Sequence, residues 1–80
     1  MPPLTPAQCR AARGLLDWTQ EELAERADVS RSTIRDFENG RHLLHNATAC
    51  QIVAALERGG ALLIPPDDAG PGVRLRKPVG

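Results

Sequence analysis

Gln20 to Asn39, QEELAERADVSRSTIRDFEN, decides the fold. It reads as two short helices joined by a tight turn. Thr19 stands where an N-cap belongs and Glu22 falls three residues later, the pairing of a capping box, so the first helix begins at Gln20. Leu23 and Ala27 lie four apart on one face while Glu21, Glu22, Glu25 and Arg26 cover the others, the apolar stripe of a half-buried helix. Ala24 supplies a position without bulk where two steeply crossing helices approach most closely. Asp28 must take a left-handed conformation to redirect the chain, which Asp tolerates better than most residues but less well than Gly. Val29 then plugs the core and Ser30 caps the second helix. That helix, 31–39, buries Ile34 and Phe37, points Arg31, Ser32, Thr33, Arg35 and Asp36 outward, and stops at Gly40.

Upstream, Thr5, Pro6 and Gln8 repeat the start signal, with Pro suited to the first helical position, so a helix is expected to run to Leu16. Cys9, Ala12, Leu15 and Leu16 form its apolar face, and Trp18 is expected to cover that face as a core lid with no cation beside it. Residues 1–4 carry two prolines and no periodicity, and are expected to form a loose arm. Downstream, Leu43 and Leu44 are expected to pack on the core from an irregular link. Asn46 is placed as the cap of a fourth helix, 47–58, ended by Gly59 and Gly60, with Ala49, Ile52, Val53 and Leu56 inward.

The last segment changes character. Residues 61–64 are apolar, 65–72 are rich in Pro, Asp and Gly, and Val73, Arg74, Leu75 and Arg76 alternate apolar with basic, the pattern of a β-hairpin. A lone two-stranded hairpin is marginal in water, so it must lie against the helices or pair its free edge with the same strand of a second chain. Arg74, Arg76 and Lys77 read mainly as a solvated edge.

The 80 residues hold ten Lys and Arg against ten Asp and Glu, a formal net charge of zero. Phosphate neutralisation supplies most non-specific affinity for nucleic acid, so zero charge argues against such a role unless the charge is unevenly placed. It is uneven. Asp17, Glu21, Glu22, Glu25 and Asp28 precede the turn, whereas Arg31, Arg35, Arg41, His42 and His45 follow it. Cys9 and Cys50 have no metal-ligand or CxxC spacing and are expected as buried free thiols. His42 and His45 lack a third ligand, so no metal site is read, and no cofactor or small-molecule ligand is evident. With no secretory or membrane-length apolar run, the expectation is a soluble cytoplasmic protein. No nucleophile and base pair, phosphate loop or paired catalytic carboxylates suggest an enzyme.

The run TQEELAERADVSRSTIRDFENGR resembles the helix-turn-helix of the lambda-repressor and Cro-like DNA-binding proteins, also called the xenobiotic-response-element family. The resemblance covers about the first three quarters of the chain. The capped Gln, the small Ala, the Val and Ser after the turn, the Ile and the closing Glu-Asn-Gly-Arg all occur in register. Asp28 departs from the pattern, which usually has Gly there. The resemblance implies a mainly α fold, a four-helix lambda-repressor-like DNA-binding domain over 1–60; the residue pattern adds the short C-terminal β-hairpin over 61–80, a candidate dimerisation element.

It also implies roles for particular residues. The helix beginning at Arg31 would enter the major groove, with Arg31, Ser32, Thr33, Arg35 and Asp36 as base-contacting residues. Gln20, Asn39, Gly40 and Arg41 would hold backbone phosphates, the last three through backbone and side-chain donors. Arg13 would form a partly buried ion pair with Glu38. The implied function is sequence-specific binding of double-stranded DNA by a transcriptional regulator, a repressor acting as a homodimer on a pseudo-palindromic operator. The alternatives are a protein-interaction module on the same scaffold, or an antitoxin repressing its own operon.

Overall fold

The computed structural model describes residues 4–77. In chain order it contains α1 (Pro6–Leu16), α2 (Gln20–Ala27), α3 (Arg31–Glu38), α4 (Asn46–Gly59), β1 (Ala61–Ile64) and β2 (Gly72–Leu75). The fold is mainly α, four helices followed by a short antiparallel hairpin.

Local chemistry sets the helix ends. Thr5 and Gln8 close a reciprocal capping box on α1, and Thr19 and Glu22 close another on α2. Asp28 ends α2 in the left-handed region, at φ 58° and ψ 46°. Asp17 ends α1 by the same device, at φ 57°. Short polar side chains adopt this conformation at modest cost, which is why Asp can stand at both corners without Gly. Ser30 caps α3 by accepting from the Thr33 amide at 3.1 Å. α3 stops at Glu38 rather than Asn39, and Gly40 carries the chain away at φ 74°.

Leu4, Leu23, Ile34, Ile52, Leu56 and Cys9 are fully buried and make one core with Phe37 and the inward alanines. Ala24 is buried between α2 and its neighbours, with its carbonyl accepting from the Val29 amide across the turn at 3.0 Å. Leu4 belongs to this core and not to a loose arm; residues 1–3 of that arm lie outside the described residues.

Several apolar side chains sit elsewhere than expected. Leu15 is exposed because the helical period turns it past the stripe defined by Cys9 and Ala12. Leu44 packs on the core, but Leu43 beside it is 94% exposed, since an extended link sends adjacent side chains to opposite sides. Cys50 is exposed on α4, one residue beyond buried Ala49. α4 begins at Asn46, with His45 as its N-cap residue and no side-chain cap bond. Trp18 covers the core as a lid, and Arg26 does accompany it, its guanidinium 4.4 Å from the ring centroid.

The hairpin is supported by both terminal helices. β1 and β2 pair with Leu62 opposite Arg74 and Leu63 opposite Val73, so β2 starts at Gly72, one residue earlier than expected. Leu63 and Val73 lie against the core. Gln8 on α1 donates from Nε2 to the carbonyls of Ile64 (3.2 Å) and Gly72 (3.0 Å), while its Oε1 completes the α1 capping box. At the other end, the Arg76 amide donates to the Gly60 carbonyl at 2.7 Å and its guanidinium to the Glu57 carbonyl, satisfying the C-terminus of α4. No helix of the described residues is long and apolar enough to cross a membrane.

Candidate nucleic-acid interface

α3 is eight residues long and strongly two-faced. Ile34, Phe37 and Glu38 are buried, whereas Arg31, Ser32 and Arg35 are exposed and Thr33 and Asp36 half-buried. The capping geometry at Ser30 shapes the N-terminal end. Ser30 Oγ lies 2.7 Å from Thr33 Oγ1 and 3.1 Å from Ser32 Oγ, so three hydroxyls cluster where the helix begins and Arg31 projects beside them.

Further along, Arg35 Nε donates to Asp36 Oδ1 at 3.2 Å. His42, from the link after α3, places Nε2 4.0 Å from Asp36 Oδ2. The acidic side chain on this face is therefore flanked by two basic groups. Between Glu38 and Glu57 the chain has no carboxylate, so the link bearing Arg41, His42 and His45 is free of acid. Glu21 and Glu25 are exposed on α2 and Asp17 at the corner that ends α1, in keeping with the charge division along the sequence, while Asp28, exposed at the corner that ends α2, stands beside the start of α3.

The other candidate contacts occupy two places. Gln20 opens α2, half-buried, and donates from Nε2 to Glu38 Oε1 at 3.1 Å. Asn39, Gly40 and Arg41 are exposed just past α3. Their main-chain amides are occupied: Asn39 donates to the Arg35 carbonyl at 3.0 Å, Gly40 to Phe37 at 3.0 Å and Arg41 to Asp36 at 2.8 Å. Backbone donors of this segment thus close the helix and are not available to a ligand. The side chains of Asn39 and Arg41 remain, with Gly40 providing the turn between them.

Behind this surface lies Glu38, 3% exposed. Arg13 donates to it twice, Nε to Oε2 and Nη2 to Oε1, each at 2.7 Å. Cys9 Sγ also donates to Oε2, at 3.1 Å. Burial alone would raise the Glu38 carboxyl, but the hydrogen bonds from Arg13, Cys9 and Gln20 outweigh it and hold the group below its ordinary value. The same pairing raises Arg13. Burial, reinforced by the Glu38 charge, pushes the Cys9 thiol far above the range of a free cysteine, so it is a neutral structural donor rather than a nucleophile.

The sequence places His42 in the basic stretch after the turn but gives no sign that it lies beside Asp36, six residues earlier. The double duty of Gln8 had no signal at all, since a capping box explains that residue completely. Among the described residues no group of three or more His, Cys, Asp and Glu is arranged to hold a metal ion. A family model described as helix-turn-helix matches residues 10–63. No curated protein matches the chain.

Proposed function

The chain belongs to the lambda-repressor and Cro-like helix-turn-helix family of DNA-binding regulators, and from that premise we propose that it is a sequence-specific repressor working as a homodimer. The observation that carries the reading is the exposed edge of α3, where Arg31, Ser32 and Arg35 stand clear of the protein beside an acid-free link. A helix of this width fits the major groove, where all four base pairs present different donor and acceptor patterns. Arg31 takes the bidentate edge of a guanine, Ser32 and Thr33 read at short range, and Arg35 and Asp36 reach the bases one turn on. Gln20 and the side chains of Asn39 and Arg41 hold phosphates, which fixes register rather than sequence.

One short helix reads few base pairs. Two copies related by a two-fold axis, on half-sites about 10 base pairs apart or a multiple of that, supply the missing specificity. In this reading residues 1–60 contact DNA and residues 61–80 form the dimer contact, the hairpin extending its sheet through the free edge of a strand. The protein then works in the cytoplasm, as a stand-alone repressor or as an antitoxin repressing its own operon.

The test is the affinity for duplex DNA measured by fluorescence anisotropy as salt is raised. A steep fall between low and moderate salt supports the reading, because counterions are released when phosphates are neutralised. A second reading, a protein-interaction module, is favoured by one feature: Leu43 is 94% exposed at the rim of an apolar groove formed with Leu4, Pro6, Phe37, Leu44 and Ala49. It predicts no grip on duplexes even at low salt, and partner binding that persists when salt is raised.

A further inference from the structure

Glu38 faces no solvent, yet it is joined to both parts of the candidate phosphate clamp. Its Oε1 accepts from Gln20 Nε2 at 3.1 Å, and Asn39, Gly40 and Arg41 follow it directly in the chain. Its own main-chain carbonyl accepts from Arg10 on α1, which pins the point where α3 gives way to that segment. One carboxylate therefore ties the start of α2 to the end of α3.

We propose that Glu38 is a positioning residue for DNA-backbone binding, orienting the Gln20 carboxamide so that one Nε2 proton is bound internally and the other is presented to a phosphate oxygen. This rests on the DNA-binding reading above. A carboxamide has a donating and an accepting end, and packing alone rarely decides which way it points. An ionised carboxylate only accepts, so it selects the nitrogen of Gln20 and repels the oxygen. The nitrogen carries a second proton, held by the planar amide on the side away from the bond already made. That donor end is the one an anionic phosphate requires; the flipped amide would turn its oxygen toward the anion.

The carboxylate is itself prevented from turning. Arg13 grips both of its oxygens in a planar fork, and the Cys9 thiol takes a further acceptor direction on Oε2. With Arg13 and Cys9 on α1, Gln20 on α2 and Glu38 on α3, the orientation of one surface amide is fixed by three helices at once. The contact it prepares is blind to sequence and sets where the protein sits along the duplex.

The experiment uses the full chain, labelled with nitrogen-15, and a mixed-sequence duplex of about 20 base pairs. In the free protein one Gln20 Nε2 proton is expected to be protected from exchange with water, and on adding the duplex the other is expected to shift. Glu38→Gln should remove the protection and weaken duplex binding about tenfold, with the salt dependence unchanged because no cation facing phosphate has been lost. Gln20→Ala should cost a similar factor, and the double variant no more than either, since both remove one contact. Additive losses, or Gln20 protons that ignore the duplex, overturn the proposal. If Glu38→Gln does not fold, judged by circular dichroism, the two protons of the wild-type protein decide the matter alone. A wild-type protein that shows the protected proton but grips no duplex at low salt instead removes the DNA-binding reading, and the proposal with it.

Discussion

Arg13 holds Glu38 through two parallel hydrogen bonds of 2.7 Å, with the carboxylate side chain 1% exposed and the guanidinium 19%. The pair joins α1 to the end of α3 behind the surface proposed to face DNA. Taking both charges out of water costs about as much as their attraction returns, so the pair adds little net stability, but removing one member strands the other. Arg13→Met should therefore destabilise the fold by about 3 kcal/mol. The double change Arg13→Met with Glu38→Leu should recover most of that loss. Urea unfolding followed by circular dichroism measures both; equal losses in the single and double variants would show that packing, not the stranded carboxylate, sets the cost.

Two groups of the same network set the pH limits of stability. Glu38 titrates lower in the folded chain than when unfolded. The folded state then binds fewer protons, so this contribution is complete above about pH 4.3 and is lost as pH falls through the lower folded value. Cys9 shifts the opposite way. Its neutral form is favoured in the fold, so its contribution is complete below about pH 8.5 and declines as pH rises beyond that. The urea midpoint should be flat between these limits and fall on both sides. Cys9→Ala should flatten the alkaline arm and, because it also removes one of the donors that hold Glu38 down, shrink the acid arm without abolishing it.

Much of this architecture is written in short-range chemistry. The capping boxes at Thr5 and Thr19, the corner at Asp28 and the burial of Ile34 and Phe37 all depend on residues within about one helical turn of each other, and pattern reading captures such effects well. Periodicity was weaker at helix edges. It could not tell that Leu15 lies outside the stripe, nor that Cys50 turns to solvent beside buried Ala49. The link after α3 has no period, so Leu43 and Leu44 looked equivalent although only Leu44 is covered. Tertiary contacts left no trace in spacing: Gln8 with the hairpin carbonyls, Trp18 beneath Arg26, and His42 near Asp36 are made by the fold, and the Arg13–Glu38 pair is legible only through the family resemblance.

Gly59 shows how such a distant contact constrains one position. A Cβ there would come within 2.6 Å of the Trp18 ring carbon Cζ2 and 3.1 Å of Leu16 Cδ1. In an exposed helix Gly→Ala gains about 1 kcal/mol from propensity, whereas crowding a rigid indole costs about 1 to 3 kcal/mol. Here the crowding should win, because the ring is held between the core and the Arg26 guanidinium. Gly59→Ala is expected to lower the melting temperature and to alter the emission of Trp18. A gain in melting temperature with unchanged emission would mean that the ring yields at little cost.

On the exposed edge of α3, Arg31 and Asp36 should differ in what their loss does. Arg31 is exposed at the first position of the helix, and a bidentate contact from it to one guanine is worth about 1 to 3 kcal/mol of discrimination. Arg31→Ala should therefore relax preference at one base position in each half-site. Asp36, half-buried on this face, is the one carboxylate on the outward side of α3, and it accepts from Arg35 at 3.2 Å. Among phosphates that charge is unfavourable, so its retention makes sense if the carboxylate accepts from a base such as cytosine N4 and discriminates against others. Asp36→Asn should then tighten binding to all duplexes while narrowing the gap between preferred and random sequences. Binding selections on randomised duplexes, run in parallel for the wild type and both variants, separate these outcomes. A variant set in which every profile keeps the wild-type base preferences would place the reading residues elsewhere on the protein.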